Sequence, residues 1–349
     1  MTPHALVQPD SVTILATYKC TAACENCCFG SNPFLTKRLD LDVILQFIEE
    51  GARLPSCKFV VFSGGETFLL REDLDRAVKY ATNLGLATRC VTNGYWAKRM
   101  DRGRKRLAGL VNAGLKELNV STGDYHQRWV SQDAVINAAC LSVELGMRET
   151  VIVVEMQRER RVSAETLYQD DRIRGLLDDR SAHFRLVESP WMPMTQEQVI
   201  EQRPEILLNR NTLHLRGGCN SILKTLVLTP DQRVGMCCGL TREQIPELNS
   251  SWSEGMNSII DQAGADFLKI WLAVDGPERI LAWAATKDPA IEWENKYAHH
   301  CHACAAIYRD PRVRSAIREH YRERIDDVLA RYSTRIRTRQ ASSQQFELA

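Results

Sequence analysis

Neither charge nor hydrophobicity dominates this sequence. Its 349 residues include 45 Lys and Arg against 44 Asp and Glu, a net charge of +1, so no overall field favours nucleic acid or an anionic membrane. No apolar run approaches the roughly 20 residues of a membrane-spanning helix, and the N-terminus lacks the basic-then-apolar pattern of a signal peptide. We therefore expect a cytoplasmic protein with no membrane partner, and the composition does not point to nucleic acid as a partner.

Cysteine, by contrast, is abundant, with 12 in the chain. Disulfides are rare in a reducing compartment, so this number indicates metal or redox chemistry. Free cysteines otherwise behave as small core hydrophobes, and we interpret Cys57, Cys90 and Cys140 in that way. The remaining cysteines fall into an N-terminal and a C-terminal group.

The N-terminal group is the segment Tyr18-Lys-Cys-Thr-Ala-Ala-Cys-Glu-Asn-Cys27, which directly follows an apolar run at 12–17 that predicts a buried strand. Three thiolates on one short loop, Cys20, Cys24 and Cys27, can hold three irons of a [4Fe–4S] cube and leave the fourth iron open. The spacing alone also allows a structural zinc loop with a distant fourth ligand.

Apolar segments alternate with amphipathic ones over residues 11–190. The predicted strands are 12–17, 58–63, 87–92, 117–121, 150–156 and 184–187, each followed by a helical pattern or a turn. Repeated strand–helix units with apolar strands require a parallel sheet covered by helices. Periodicity does not decide between an open and a closed α/β barrel, but polar residues gather where the strands end, as in other α/β sites.

A strand, a three-cysteine loop, a helix and a second strand running into Gly64-Gly65-Glu66-Thr67 resemble the radical S-adenosylmethionine (SAM) enzymes. The resemblance implies a partial (β/α)6 barrel over 11–190, a [4Fe–4S] cluster with SAM at the open iron, and contacts from this Gly-Gly-Glu-Thr segment to the amino group of SAM. It also places Asn93 and Ser121 where the family uses polar side chains on the ribose or carboxylate of SAM. Taken alone, both residues would be turn formers.

Two further observations concern the same predicted site. Asp124 and His126 follow the fourth strand, where an acid and an imidazole suit substrate contact or proton transfer, although a polar surface loop would look the same. The family usually carries an aromatic residue just before the third cysteine, near the adenine. Here Asn26 holds that place and Phe29 follows Cys27 by two positions, which leaves the adenine contacts unassigned.

The C-terminal cysteines resemble the auxiliary-cluster domains called SPASM and Twitch. Seventeen residues, which contain a predicted hairpin, separate Cys219 from Cys237. Further along the chain, Cys301 and Cys304 form a CxxC pair. We expect one auxiliary [4Fe–4S] cluster with the ligands Cys219, Cys237, Cys301 and Cys304. Cys238 could replace Cys237 as a ligand or act as a catalytic thiol. A structural zinc site with four thiolates is the alternative.

The predicted organisation is a barrel at 11–190, a linker at 191–215, an auxiliary domain of a β-hairpin plus helices at 216–308, and a basic C-terminal helix with a disordered tail at 309–349. The resemblance implies reductive cleavage of SAM to a 5′-deoxyadenosyl radical that abstracts hydrogen from a C–H bond. We expect a ribosomally made precursor peptide as substrate, modified by a crosslink, a ring or epimerisation.

The expected partners of such an enzyme are an electron donor such as flavodoxin or ferredoxin and, because the first strand begins near Ser11, a separate leader-binding protein. Two alternatives stay open. One is a small-molecule radical SAM dehydrogenase or cyclase with the same clusters. The other is a noncatalytic binding protein held together by iron–sulfur or zinc.

Overall fold

The structure is a computed structural model that describes residues 6–179, 181–190, 201–237, 245 and 248–347, with only the backbone described for 339–347. The chain divides into two compact units. One, here called the sheet unit, contains Asp10–Gln202 and Leu226–Val234. The other, here called the helical unit, contains Met1–Pro9, Arg203–Thr225 and Gly235–Ala349.

The sheet unit is built on parallel strands. They are β1 (Ser11–Leu15), β2 (Phe59–Ser63), β3 (Ala87–Thr92), β4 (Glu117–Thr122), β5 (Glu149–Met156) and β6 (Phe184–Pro190). Each strand pairs in parallel with the next along the chain. Their apolar residues are buried because helices cover a parallel sheet, and the parallel direction brings all six carboxyl ends to one edge.

Helices connect these strands: α1 (Leu41–Ala52), α2 (Glu72–Asn83), α3 (Met100–Ala113), α4 (Gln132–Glu144), α5 (Ala164–Tyr168) and α6 (Asp171–Asp178). In α1 the residues Ile44, Phe47 and Ile48 recur at helical spacing and are buried. The sequence predicts one helix at 164–177, but the structure has two. The side chain of Asp170 accepts a hydrogen bond from the backbone N–H of Arg172 and so starts a new helix.

The sheet is open, and the predicted partial (β/α)6 barrel is confirmed. The strand order is β6-β5-β4-β3-β2-β1-β7-β8, where β7 (Thr225–Leu228) and β8 (Arg233–Gly235) form the predicted hairpin. Among the described strands, β1 pairs with its neighbours and not with β6.

The hairpin residues Leu226–Val234 lie in the sheet unit, whereas the sequence pattern predicts a hairpin within an auxiliary domain at 216–308. Asp231, in the turn of the hairpin, accepts a 2.6 Å hydrogen bond from the hydroxyl of Tyr18 and pairs with Lys37. A hairpin pattern predicts that two strands pair with each other, but it does not say which sheet edge they extend. Here they cover the edge of β1, which would otherwise present unpaired backbone groups.

The helical unit contains β9 (Asn249–Ser251), α7 (Met256–Ala265), α8 (Phe267–Lys287), α9 (His300–Arg309), α10 (Pro311–His320) and α11 (Ile325–Glu347). The helix α8 kinks at Gly276, which has a φ of +77° and precedes Pro277. Next to the kink, the buried carboxylate of Asp275 accepts a hydrogen bond from the indole N–H of Trp271 at 2.8 Å and pairs with Arg331 at 2.8 Å. The ion pair joins α8 to α11.

The end of the chain differs from the prediction. The sequence predicts polar disorder after about residue 340, but α11 continues to Glu347, in a stretch that contains three Gln, one Ala and one Glu, all of which favour helix. The hydroxyl of Tyr332 on α11 donates to the carbonyl of Leu6 at 2.8 Å. Of the predicted linker at 191–215, residues 191–200 lie outside the described residues, and 201–215 contain short 3-10 turns at Pro204–Ile206 and Leu213–Leu215.

None of the helices in the described part of the chain combines the length and the apolar character that a bilayer crossing demands.

Candidate functional site

The three N-terminal cysteines border a cavity of about 210 Å³ at the carboxyl edge of the sheet. The loop that carries them starts just after β1, and a turn in which Cys27 N–H donates to the Cys24 carbonyl at 3.1 Å sets their spacing. The structure therefore brings together eight of the eleven site residues that the sequence predicts within the sheet unit. The predicted residues that line the cavity are Cys20, Cys24, Cys27, Gly64, Gly65, Asn93, Ser121 and His126.

Gly64 and Gly65 are glycines because the cysteine loop lies directly against them. Gly65 N–H donates to the carbonyl of Thr17 at 2.7 Å, and Glu66 N–H donates to that of Lys19 at 2.9 Å. A Cβ on Gly65 would lie 2.2 Å from the Lys19 carbonyl oxygen, and Gly64 has a φ of +128°, which L side chains rarely adopt. The two glycines thus dock the end of β2 onto the loop and also present backbone to the cavity.

Glu66 and Thr67 hold neighbouring strand ends together. The fully buried carboxylate of Glu66 accepts hydrogen bonds from the hydroxyl of Thr92 at 2.8 Å and from the backbone N–H of Asn93 at 2.8 Å. Burial raises the pKa of this carboxyl to about 7. The hydroxyl of Thr67 donates to the Val91 carbonyl at 2.8 Å. Both side chains are therefore directed at β3, while the glycines before them line the cavity.

Asn93 connects β3 to the cysteine loop. Its side-chain amide donates to the hydroxyl of Thr21 at 3.0 Å and lies 3.6 Å from the sulfur of Cys20. The side-chain Oδ1 of Asn93 accepts a hydrogen bond from the backbone N–H of Tyr95 at 3.0 Å. Asn93 therefore forms a turn, as an isolated Asn suggests, and it also lies beside the cysteine loop.

The two predicted catalytic residues after β4, Asp124 and His126, have different surroundings: only His126 lines the cavity. The carboxylate of Asp124 accepts hydrogen bonds from the backbone N–H groups of Arg161 and Val162 at 3.0 Å and is outside the set of described residues that line the cavity. It holds the loop that follows β5. His126 does line the cavity, and its Nδ1 contacts the carboxylate of Glu155.

Sequence reasoning missed Glu155, and it assigned no role to Asn26. Glu155 is 4% exposed, and its Oε2 accepts a hydrogen bond from the side-chain amide of Asn26 at 3.4 Å. Phe29, in contrast, lines the cavity. The sequence did offer one signal for Glu155. An acidic residue at the carboxyl end of the most apolar strand could have indicated a site residue.

The cysteine sulfurs fit an iron–sulfur cluster in their chemistry. Burial raises the pKa of the Cys20 and Cys24 thiols to about 12, so a positively charged metal centre is needed to keep them as thiolates at neutral pH. In a [4Fe–4S] cube each thiolate binds a separate iron. Within the described residues, no three His, Cys, Asp or Glu side chains converge on a single-ion site.

Cys304 interacts electrostatically with two of the other C-terminal cysteines in the helical unit. Burial raises the pKa of Cys304 well above its ordinary value, and the nearby sulfurs of Cys237 and Cys219 raise it further, which shows that these three thiols are neighbours. Cys301 lies one turn before Cys304 on α9. Cys238 lies outside the described residues.

An imidazole that the sequence did not single out adjoins this group. His300 Nδ1 lies 2.8 Å from the buried carboxylate of Glu278, and the His300 ring also neighbours Cys219. Burial alone would raise the pKa of Cys219, but the interactions with His300 and with the backbone N–H groups of Ile222 and Ser221 together outweigh it and lower that pKa. A thiolate stabilised by a neighbouring imidazole is suited to bind metal.

Comparison with known proteins decides the family of the sheet unit. A family model described as the Radical SAM superfamily matches residues 14–154. Residues 14–154 form a radical SAM domain. The match covers the three-cysteine loop and the strand ends β1 to β4 that surround the cavity.

Two curated proteins that are similar to part of this chain have names that refer to peptides. The putative peptide biosynthesis protein YydG of Bacillus subtilis (strain 168) is 26% identical over 131 residues, which are 36% of this chain and 40% of the relative. A PqqA peptide cyclase of Rhodopseudomonas palustris (strain ATCC BAA-98 / CGA009) is 34% identical over 117 residues, 32% of this chain and 28% of the relative. The chain thus aligns with less than half the length of these relatives.

A solved structure extends the likeness in fold to almost the whole chain. Native anSMEcpe, with bound AdoMet and a Cp18Cys peptide, is 13% identical and has a TM-score of 0.53, covering 93% of this chain and 99% of that chain. At this identity the likeness shows the fold alone.

The docking of Gly65 onto the cysteine loop can be tested with Gly65→Ala. The added methyl must displace the Lys19 carbonyl, so we expect the free energy of unfolding to fall by about 1–3 kcal/mol and bound iron after anaerobic reconstitution to fall with it. Urea unfolding and iron analysis measure the two effects.

Gly175→Ala is the matched control. A Cβ at Gly175 in α6 meets open space, so this change should stabilise the protein by about 0.5–1 kcal/mol and leave iron binding unchanged. A Gly65→Ala protein with the stability and iron content of wild type would contradict the docking role.

Proposed function

We propose that this chain is a radical SAM enzyme whose catalytic cluster is held by Cys20, Cys24 and Cys27. The observation that carries the proposal is the cavity at the carboxyl edge of the sheet, where the three cysteines meet Gly64, Gly65 and polar strand ends within a radical SAM domain. When bound, the cluster and SAM supply the electron and the 5′-deoxyadenosyl radical that abstracts hydrogen from a substrate C–H bond.

The residues of the chain position these groups and exclude water. Three thiolates leave one iron for SAM, and the Gly64-Gly65 backbone lets a small charged group approach closely. Asn93 and Ser121 offer polar atoms at the same wall of the cavity. Glu66 fixes the ends of β2 and β3 through its buried hydrogen bonds, so it shapes the SAM site through the backbone on which the site is built.

The proposed substrate is a ribosomally made peptide. The support comes from the radical SAM domain, whose curated relatives include a putative peptide biosynthesis protein and PqqA peptide cyclases. A crosslink, a ring and an epimerised residue are all products that one hydrogen abstraction can initiate. An electron donor of the flavodoxin or ferredoxin type and a separate leader-binding protein are the proposed partners, and the cytoplasmic location stays a prediction.

We further propose that Cys219, Cys237, Cys301 and Cys304 bind one auxiliary [4Fe–4S] cluster. The electrostatic coupling among the sulfurs of Cys219, Cys237 and Cys304 supports this ligand set. The buried Glu278–His300 pair beside Cys219 adds a hydrogen-bonding environment of the kind that adjusts cluster potentials. Such a cluster would accept an electron from the substrate radical or bind the substrate.

The catalytic proposal is tested by SAM cleavage under anaerobic reduction with dithionite. Wild type should form 5′-deoxyadenosine, and the Cys20/Cys24/Cys27→Ala variant should form none, because it lacks the cluster that delivers the electron. Cys57→Ala is the control, since this buried cysteine lies outside the cavity lining and its loss should leave cleavage in place. A wild type that binds iron but never cleaves SAM would favour a binding protein.

A panel of precursor-like peptides and a panel of small metabolites, added separately, distinguish the substrate classes. Faster SAM cleavage and a mass change in a peptide are expected. A response confined to small molecules would favour the dehydrogenase or cyclase alternative.

The auxiliary cluster is tested by Cys304→Ala. Iron per chain should fall from about eight to about four, while SAM cleavage without substrate persists, because the N-terminal cluster is untouched. Cys140→Ala serves as the control with unchanged iron. Zinc in the wild-type protein, with about four irons that the Cys304 change does not affect, would assign these cysteines to a structural zinc site.

A further inference from the structure

The buried carboxylate of Glu155 is not explained by the fold. It stands next to the end of β5, is 4% exposed, and interrupts an apolar strand. Its hydrogen-bond partners among the described residues are Asn26 and His126, and it has no ion pair with Lys or Arg there. Because burying a carboxylate costs free energy unless its partners compensate, a purely structural strand would be expected to carry an apolar residue at this position.

The two oxygens of this carboxylate face two different parts of the site. Oε2 accepts a hydrogen bond from the side-chain amide of Asn26 at 3.4 Å, and Oε1 contacts Nδ1 of His126. Asn26 is fully buried and lies between Cys24 and Cys27, so it belongs to the loop that carries the cluster ligands. His126 belongs to the wall of the cavity that those ligands share.

The backbone opposite Glu155 is shaped to admit this side chain. Gly123, just after β4, has a φ of +153°, and a Cβ there would lie 2.4 Å from Cγ and 2.5 Å from Cδ of Glu155. Only a glycine leaves room for the carboxylate to reach across from β5. Two separate segments, the cysteine loop at Asn26 and the loop after β4 that holds Gly123 and His126, therefore accommodate one buried acid.

We propose that Glu155 is a positioning residue that ties the cysteine loop to the cavity wall. It anchors the loop through Asn26 and fixes the ring of His126, so that the cluster ligands and the imidazole hold a constant relative position. The part that concerns SAM and the cluster rests on the proposed function, whereas the anchoring of the loop concerns the protein alone. The contacts of Glu155 with Asn26 and His126 are here called the clamp. Through Asn26, the clamp occupies a position where the family usually has an aromatic residue.

The variant Glu155→Gln tests the clamp because it keeps the shape of the side chain. Its oxygen can still accept from Nδ1 of His126, but its amide would meet the amide of Asn26, donor against donor. A hydrogen bond to a charged buried group is worth roughly tenfold or more in an equilibrium. We therefore expect amide hydrogen exchange in the segment 20–31 of the metal-free protein to become about tenfold faster, and SAM binding by the reconstituted protein to weaken by a similar factor.

The rescue variant is Asn26→Asp combined with Glu155→Gln. It reverses the polarity of the bond, because the Asp carboxylate accepts from the Gln amide while the Gln oxygen still faces His126. Slow exchange at 20–31 should return in this double variant, and Asn26→Ala alone should reproduce the fast exchange if Glu155→Gln does not fold. Glu188→Gln is the control, since this glutamate on β6 pairs with Arg160 outside the cavity lining and should leave the segment unaffected.

Fast exchange in the single variants and its reversal in the double variant support the clamp. If amide exchange in the segment 20–31 is as slow in Glu155→Gln and in Asn26→Ala as in wild type, the clamp is overturned. It is also overturned if the double variant exchanges at least as fast as the two single changes together would predict. A wild type that neither binds a cluster nor cleaves SAM would remove the proposed function but leave the exchange result to decide the anchoring. Altered exchange with unaltered SAM binding would overturn the link between the clamp and the site.

Discussion

The candidate site depends on the contact between the Gly64-Gly65 segment and the cysteine loop. Backbone hydrogen bonds from Gly65 to Thr17 and from Glu66 to Lys19 hold the loop against the end of β2. A loop with three cysteines could otherwise adopt many conformations, and ordering each residue costs about 1–2 kcal/mol. The neighbouring parallel strand orders the loop through its own backbone, which gives the cysteines a defined place at the edge of the sheet.

Buried polar side chains then connect the strand ends around that loop. Glu66 joins β2 to β3, Asn93 joins β3 to the loop beside Cys20, and Glu155 joins β5 to Asn26. Hydrogen bonds in a low-dielectric interior are stronger than in water, and leaving one unmade is costly. In the proposed function such a network would hold the cluster ligands in place, since a reactive intermediate must meet its target and not solvent.

Features that arise from local pattern were predictable from the sequence. The strands, the order of the strand–helix units and the cysteine spacing are local features, and β3 occurs at the predicted residues 87–92. Long-range partners could not be predicted in this way. The sequence does not show that Asp124 binds the backbone at Arg161, that Glu66 turns towards β3, or that Asn26 meets Glu155, because each contact joins segments that only the folded sheet brings together. The predicted hairpin formed, but its pairing with the edge of β1 was missed for the same reason.

The central claim is that three protein thiolates leave one iron of a cluster open to SAM. Electron paramagnetic resonance of the reduced Cys304→Ala protein, which should retain only the N-terminal cluster, tests this before and after addition of SAM. A change in the g values on addition of SAM, absent with 5′-methylthioadenosine, which lacks the amino and carboxylate groups, is the predicted result, because only a directly bound ligand alters the electronic structure of the cluster strongly. An unchanged spectrum at saturating SAM would contradict the claim, since it would mean that the cluster has no open iron at this cavity.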